Sequence, residues 1–164
     1  PDYQMTTFDY GNFVLTLQTG EFSPYMLKTS PEIRYGDGFP EWKQNSTKII
    51  IYGTEGVMYV GRMGGGWQVY GKDRQIVDQE QGLFPLREHL GNFIDCIRSR
   101  EQPNGNIVEG HRSATLIHLA NLSYRAGKKQ LYFSGDTELI TNDPQARELA
   151  LGSYREGFEI PQEV

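Results

Sequence analysis

The hydrophobic pattern of this chain changes period at Pro85, and that single change decides most of what it can fold into. Upstream, short β-rich runs alternate and are punctuated by Gly-containing turns. Met5–Thr19 reads as a hairpin about Gly11-Asn12, and Lys48–Tyr52, Val57–Val60, Trp67–Tyr70 and Gln75–Val77 read as four strands separated by tight turns, hence antiparallel neighbours. Between them, Gly20–Ser46 is rich in Pro, Gly and aromatic residues and predicts no regular element. Downstream, Leu86, Leu90, Phe93, Ile94 and Ile97 form the apolar stripe of an amphipathic helix that ends near Arg100. A second helix is expected from about Glu109 to Arg125, stopped by Gly127, with apolar residues over most of its circumference and therefore buried on most sides. Lys129–Phe133 predicts one more short strand, and Asp143-Pro144 the cap and first residue of a last helix reaching about Leu151. Strands first and helices afterwards imply an α+β fold: one domain over residues 1–164, an open, mainly antiparallel sheet with helices packed on one face.

Composition narrows the function. The chain has 164 residues, 37% of them hydrophobic and 12% aromatic, which suits a packed domain rather than a disordered one. Its formal charge of -5 argues against the basic surface that non-specific nucleic-acid binding needs. No apolar run approaches the roughly 18 residues of a membrane span, and a mean hydropathy of -0.57 fits a soluble chain, cytoplasmic or exported. Cys96 is the only cysteine, so no internal disulfide forms; its helical setting reads as a small core residue. The start at Pro1-Asp2-Tyr3-Gln4 leads straight into strand-like sequence, as if cut from a longer polypeptide, so a missing targeting signal carries no information.

Several segments together carry a resemblance. Glu88–Arg100 with Gln102-Pro103, Glu109–Ser113, His118–Lys129, Asn142–Ala146, Ser153-Tyr154-Arg155 and Ile160-Pro161, preceded by Ile51–Gly56, fall in order between Ile49 and Pro161. In this combination the chain resembles the C-terminal α/β half of the glucose-fructose oxidoreductase, inositol dehydrogenase and MocA family, bacterial type. The resemblance implies a longer parent protein whose N-terminal Rossmann domain binds NAD or NADP. It also implies a C-terminal open sheet that faces the nicotinamide and substrate and often builds homo-oligomers.

The chain departs from the whole-family pattern. It has no Gly-x-Gly-x-x-Gly after a strand, no Glu-Lys-Pro with the family's usual catalytic lysine, and no Asp-x-x-x-His before the sheet. Gly64-Gly65-Gly66 lies between strands and reads as a turn, not a pyrophosphate cradle. No catalytic or cofactor-binding residue is therefore assigned to this chain, which is not expected to turn over alone.

The remaining candidates are substrate contacts. His89, His111 and His118 are the only histidines. His111 and His118 stand about 10 Å apart along one helix, too far to share a metal ion, and no metal site is expected. His111, beside Arg112 at a helix start, reads either as a capping or inter-helix hydrogen bond or as a contact to substrate or the missing domain. His118, on a narrow polar strip with Asn121 and Arg125, reads as a hydrogen bond to loop backbone. In the Phe22–Trp42 loop, Tyr25, Lys28, Arg34, Tyr35, Asp37 and Trp42 mix aromatic faces with charged groups, as sugar-like ligands require; the alternative is a loop covering one sheet face. His111, Arg112, Arg34, Tyr35 and Trp42 are the chosen candidates. Trp67 and Tyr70 fit either a contribution from the sheet or core and interface packing. Asp37, Glu41, Asp136 and Glu138 read as turn acids, and Tyr154-Arg155 as an anchor, with Arg155 bound to carbonyls or a carboxylate.

Three readings follow. The chain is the substrate-side and assembly domain of an NAD(P)-dependent oxidoreductase acting on a sugar, polyol or related compound. Alternatively, it is a non-catalytic carbohydrate-binding or oligomerisation module, or part of an NAD-dependent glycosidase of the same family.

Overall fold

The computed structural model of the chain describes residues 2–20, 28–61 and 65–158. Tyr25, Gly64 and Ile160-Pro161, each singled out above, lie outside the described residues. The chain divides into two compact units, Pro1–Asn104 and Gly105–Val164.

The first unit opens with the expected hairpin, β1 (Tyr3–Asp9) and β2 (Val14–Gly20), paired antiparallel from Tyr3↔Gly20 to Asp9↔Val14. Gly11, at φ +80, turns the chain while its amide donates to the Asp9 carboxylate, and the Tyr10 and Phe13 rings stack across the turn. The stretch with no expected element contains a short helix, α1 (Pro31–Tyr35). Ser30 caps it by accepting from the Ile33 amide, and Pro31 supplies a preset φ at the first position.

Four strands then form an antiparallel meander: β3 (Lys48–Tyr52), β4 (Gly56–Gly61), β5 (Trp67–Gly71) and β6 (Ile76–Glu80), in the order β3-β4-β5-β6. The sheet stays open, so the chain adopts the α+β class with antiparallel pairing that its alternation predicts. The register sets a row of neighbours across all four strands, Ile50, Tyr59, Gln68 and Gln79. Because side chains alternate, that row shares a face with Lys48, Val57 and Tyr70, whereas Ile49, Ile51, Met58, Val60, Trp67 and Val69 point to the other. A bulge shifts the β5–β6 register, so that Tyr70 pairs with Ile76 and Val77 is the extra residue.

Helix α2 (Leu86–Ser99) runs where its stripe requires and ends at Arg100, which adopts the left-handed conformation at φ 63 and donates its amide to the Cys96 carbonyl. None of its residues is buried, and Leu86, Leu90, Phe93, Ile94 and Ile97 are exposed. Cys96 is accordingly not a core residue: it is half-buried, with the Asn92 amide 3.7 Å from its sulfur.

In the second unit, α3 (Ile107–Arg125) starts two residues before the expected Glu109 because the Asn106 side chain caps it, accepting from the Glu109 amide at 3.1 Å. The expected burial on most sides does not occur. Only Ala120 is buried, and Ile107 is 84% exposed. Apolar residues surround this helix, but α4 (Pro144–Leu151) and the turn before it cover one strip, where Leu119 and Leu122 meet Ala126, Ile140 and Ala146. Gly127, at φ +96, ends the helix as its position implies.

The expected strand at Lys129–Phe133 shrinks to β7 (Phe133–Ser134), paired with β8 (Leu139–Ile140). Ahead of it the Asn142 side chain takes the place of a partner strand, accepting from the Tyr132 amide and donating to the Gln130 carbonyl. Asp143 caps α4, accepting from the Ala146 amide at 2.9 Å and from Lys129 Nζ at 2.7 Å. The Lys129 bond, then the Ala146 amide, hold its carboxyl below the usual aspartate range. A depressed carboxyl contributes stability above its unfolded pKa that is lost as pH falls through the folded one. Asp143→Ala should therefore lower the melting temperature by a few degrees at neutral pH, with the difference from the parent chain vanishing in strongly acidic buffer; a pH-independent difference in thermal scans would count against this assignment.

Candidate functional site

The face of the meander that carries the Ile50–Gln79 row has a built wall along one side. Gly61 stands opposite Lys48, and a side chain there would collide with the Trp42 ring, 2.9 Å from its Cζ3. The absent side chain lets the indole lie against the sheet, 8% exposed and stacked on Tyr59 with ring centroids 5.9 Å apart. Trp42 Nε1 donates to the Gln68 side-chain oxygen at 2.7 Å, and the Tyr70 hydroxyl donates to the same oxygen at 3.0 Å. The Gln68 amide nitrogen in turn donates to Gln79 at 2.8 Å. Gln68 is buried mid-sheet, where an unsatisfied amide is costly, and this network satisfies it. Tyr70 meets Tyr59 edge-on at 5.8 Å, which completes an aromatic corner.

These groups bound a groove of about 760 Å³, large enough for a monosaccharide-sized molecule. Its floor includes Ile50, Val57, Tyr59 and Tyr70; Pro40, Glu41, Trp42 and Lys43 rise on one side, and Lys48 and Arg74 carry charge into it. The Lys48 ammonium donates to the carbonyls of Trp42 at 2.5 Å and Asn45 at 3.2 Å, and burial lowers its pKa. The loop bearing the wall is tied down separately, through the buried Asn45 amide donating to Thr29 at 2.7 Å.

Of the sequence candidates, Trp42 is in this groove. Arg34 and Tyr35 are not: Tyr35 is 68% exposed and meets Phe84 edge-on, and Phe84 donates its amide to the Arg34 carbonyl. Arg34 Nε is buried and has no hydrogen-bond partner among the described residues. The sheet register separates the two strand aromatics, Tyr70 facing the groove and Trp67 the opposite face.

His111 and Arg112 belong to the second unit. His111 Nε2 lies 2.8 Å from a Glu138 oxygen, with Glu138 held at φ 52 in the β7–β8 turn, and Arg112 pairs with Glu109 at 2.9 Å. The bond runs from a helix to a turn, so it is neither a cap nor an inter-helix bond, and both partners are more than half exposed, so the pair adds little to stability. The His118 imidazole is exposed and makes no hydrogen bond among the described residues, contrary to the expected bond to loop backbone. Among the described residues Arg155 makes no bond to a carboxylate or carbonyl through its side chain: its guanidinium lies over the Phe158 ring at 3.8 Å, a cation–π contact.

Sequence reading missed Lys48, Tyr59, Gln68 and Arg74. The one available signal was a glutamine two positions before a tyrosine in a β-rich run, which puts both side chains on one face of the sheet.

The glycine turn does not suit a dinucleotide. Gly66, at φ +60, leads into β5 rather than a helix, and its space is filled by the backbone of Glu80, Gln81 and Gly82, so no helix N-terminus is offered to a pyrophosphate. Among the described residues no three metal-ligating side chains cluster and no helix is long and apolar enough to cross a membrane. Comparison with known families matches residues 41–160 to the Gfo/Idh/MocA family model described as oxidoreductase family, C-terminal alpha/beta domain. No curated protein and no solved structure gives a significant match.

Proposed function

The chain belongs to the Gfo/Idh/MocA oxidoreductase family through its C-terminal α/β domain, and on that premise we propose that it forms the substrate side and assembly surface of an NAD(P)-dependent enzyme acting on a sugar or polyol. The groove on the meander carries the proposal. Tyr59 and Tyr70, backed by the buried Trp42, offer apolar surface for the C–H faces of a ring or chain of hydroxylated carbons. Polar groups at Lys48 and Arg74 supply hydrogen bonds at its edges. On this reading the nicotinamide cofactor binds to a separate N-terminal domain, and no step of hydride transfer is assigned to these residues.

The test is titration of the chain with neutral polyols such as sorbitol and inositol, read by tryptophan fluorescence, with NAD and NADP as comparisons. Polyol binding in the millimolar range, weakened several-fold by Tyr70→Ala, is expected; absence of any response to polyols and their acids would sink the groove as a substrate site. Neither nucleotide should shift the melting temperature, and micromolar binding of one would overturn the division of labour.

The assembly role rests on the opposite sheet face. Ile49 and Ile51 are 59% and 51% exposed beside half-buried Met58, Val60, Trp67 and Val69, an apolar surface of the kind that homo-oligomers cover. Sedimentation at tens of micromolar should give a dimer or larger species that Ile51→Glu dissociates; a monodisperse monomer of the parent chain would contradict it.

A further inference from the structure

We infer that the ligand of the Trp42 groove carries an acid group: a sugar acid or polyol carboxylate, rather than a neutral sugar. The inference rests on reading the groove as a ligand site and narrows what that site takes. Lys43, Lys48 and Arg74 line the groove against one carboxylate, Glu41, which reverses the balance of a chain with 21 acidic and 16 basic residues. None of the three cations makes an ion pair among the described residues.

Lys48 is the decisive group. Its ammonium is drawn partly out of water and donates only to backbone carbonyls, which orient it without neutralising it. A desolvated charge without a counter-charge is costly, and burial accordingly lowers the pKa of this lysine. A carboxylate entering the groove offsets that cost, because it supplies the missing counter-charge through a charge-assisted hydrogen bond. The carbonyl that holds the ammonium belongs to Trp42, so the cation is fixed at the foot of the aromatic wall, and a ligand stacked on that wall brings its terminal acid beside it. Arg74 is presented from the other end by a closed turn, in which the Gly71 amide donates to Gln75, the Arg74 amide donates to Gly71, and the Asp73 carboxylate accepts from the Gln75 amide.

The test compares D-gluconate, D-sorbitol, glucose 6-phosphate and acetate as ligands of the chain at low and moderate salt. Gluconate should bind about tenfold more tightly than sorbitol, the size of one charge-assisted hydrogen bond, and acetate alone should not bind measurably. Lys48→Gln should lower gluconate affinity several-fold more than sorbitol affinity, so that most of the advantage of gluconate is lost, and Lys48→Arg should restore part of it. If Lys48→Gln fails to fold, the double variant Lys43→Gln/Arg74→Gln reads the same preference, which should fall several-fold. Equal affinity for gluconate and sorbitol overturns the acid requirement and leaves the groove reading standing. Preference for glucose 6-phosphate without gluconate binding overturns it in favour of a phosphate, and binding of acetate as tightly as gluconate reduces the site to a non-selective cation cluster. Absence of binding by all four overturns both this inference and the reading beneath it.

Discussion

Replacing Trp42 with alanine should cost the first unit about 3–5 kcal/mol of unfolding free energy in urea, the range for deleting a large buried aromatic side chain. The indole is one of the few buried large side chains among the described residues, and its removal takes away both the stack on Tyr59 and the donor to Gln68. Gln68 keeps the Tyr70 hydroxyl as a donor, so the loss is dominated by the cavity rather than by an orphaned amide. Trp42→Phe should recover roughly half of the stability, since it restores a ring without the N–H. Trp67→Ala, made on the more exposed opposite face, is the control and should cost clearly less. Equal losses at the two tryptophans would mean that Trp42 does not anchor the wall.

The second large effect is expected at Gly66. Its φ of +60 is a conformation that costs other residues about 1–2 kcal/mol, and a β-branched side chain suffers more there. A Cβ would also stand 2.2 Å from the Glu80 carbonyl oxygen and 2.7 Å from the Gly82 nitrogen, both backbone atoms that move only if β6 moves. Gly66→Val should therefore open the Trp67↔Glu80 end of the β5–β6 ladder and destabilise the unit by more than about 2 kcal/mol. Hydrogen exchange at Trp67 and Glu80 should accelerate ahead of that at β3. Gly110→Ala provides the contrast: nothing lies within 4 Å of its Cβ position in α3, so that variant should gain about 0.5–1 kcal/mol. Similar effects at Gly66 and Gly110 would contradict the close approach seen at the turn.

The elements that the sequence announced are those with local causes. Alternation placed β3 to β6, and the Asp143-Pro144 cap placed α4. The Asn106 cap that starts α3 two residues before Glu109 is an equally local cause. Burial was read less well, since apolar residues around α3 state what the helix would bury but not what this chain has to cover it with. The groove was the least visible part. Trp42 stood out as an aromatic residue in an irregular stretch, but its partners Tyr59 and Gln68 become neighbours only once the strand register is set. Lys48 looked like an ordinary polar residue at a strand start, and its unpaired charge follows from the wall that closes over it. The family resemblance, read between Ile49 and Pro161, agrees closely with the match over residues 41–160, because it rested on helices and turns whose spacing survives without knowledge of packing.

The residues that line the groove all fall between Pro40 and Arg74, on neighbouring antiparallel strands and their connections. Loop closure over such short separations costs little entropy, and local pairings of this kind assemble early. The recess thus completes itself from neighbouring segments, independently of α3 and α4 in the second unit. Its rim residues, Lys43 and Arg74 among them, sit in connections where substitutions leave the ladder intact. A lineage using this scaffold is free to alter what the recess accepts without rebuilding the helical half, and the glycines at 61 and 66 are the positions where that freedom stops.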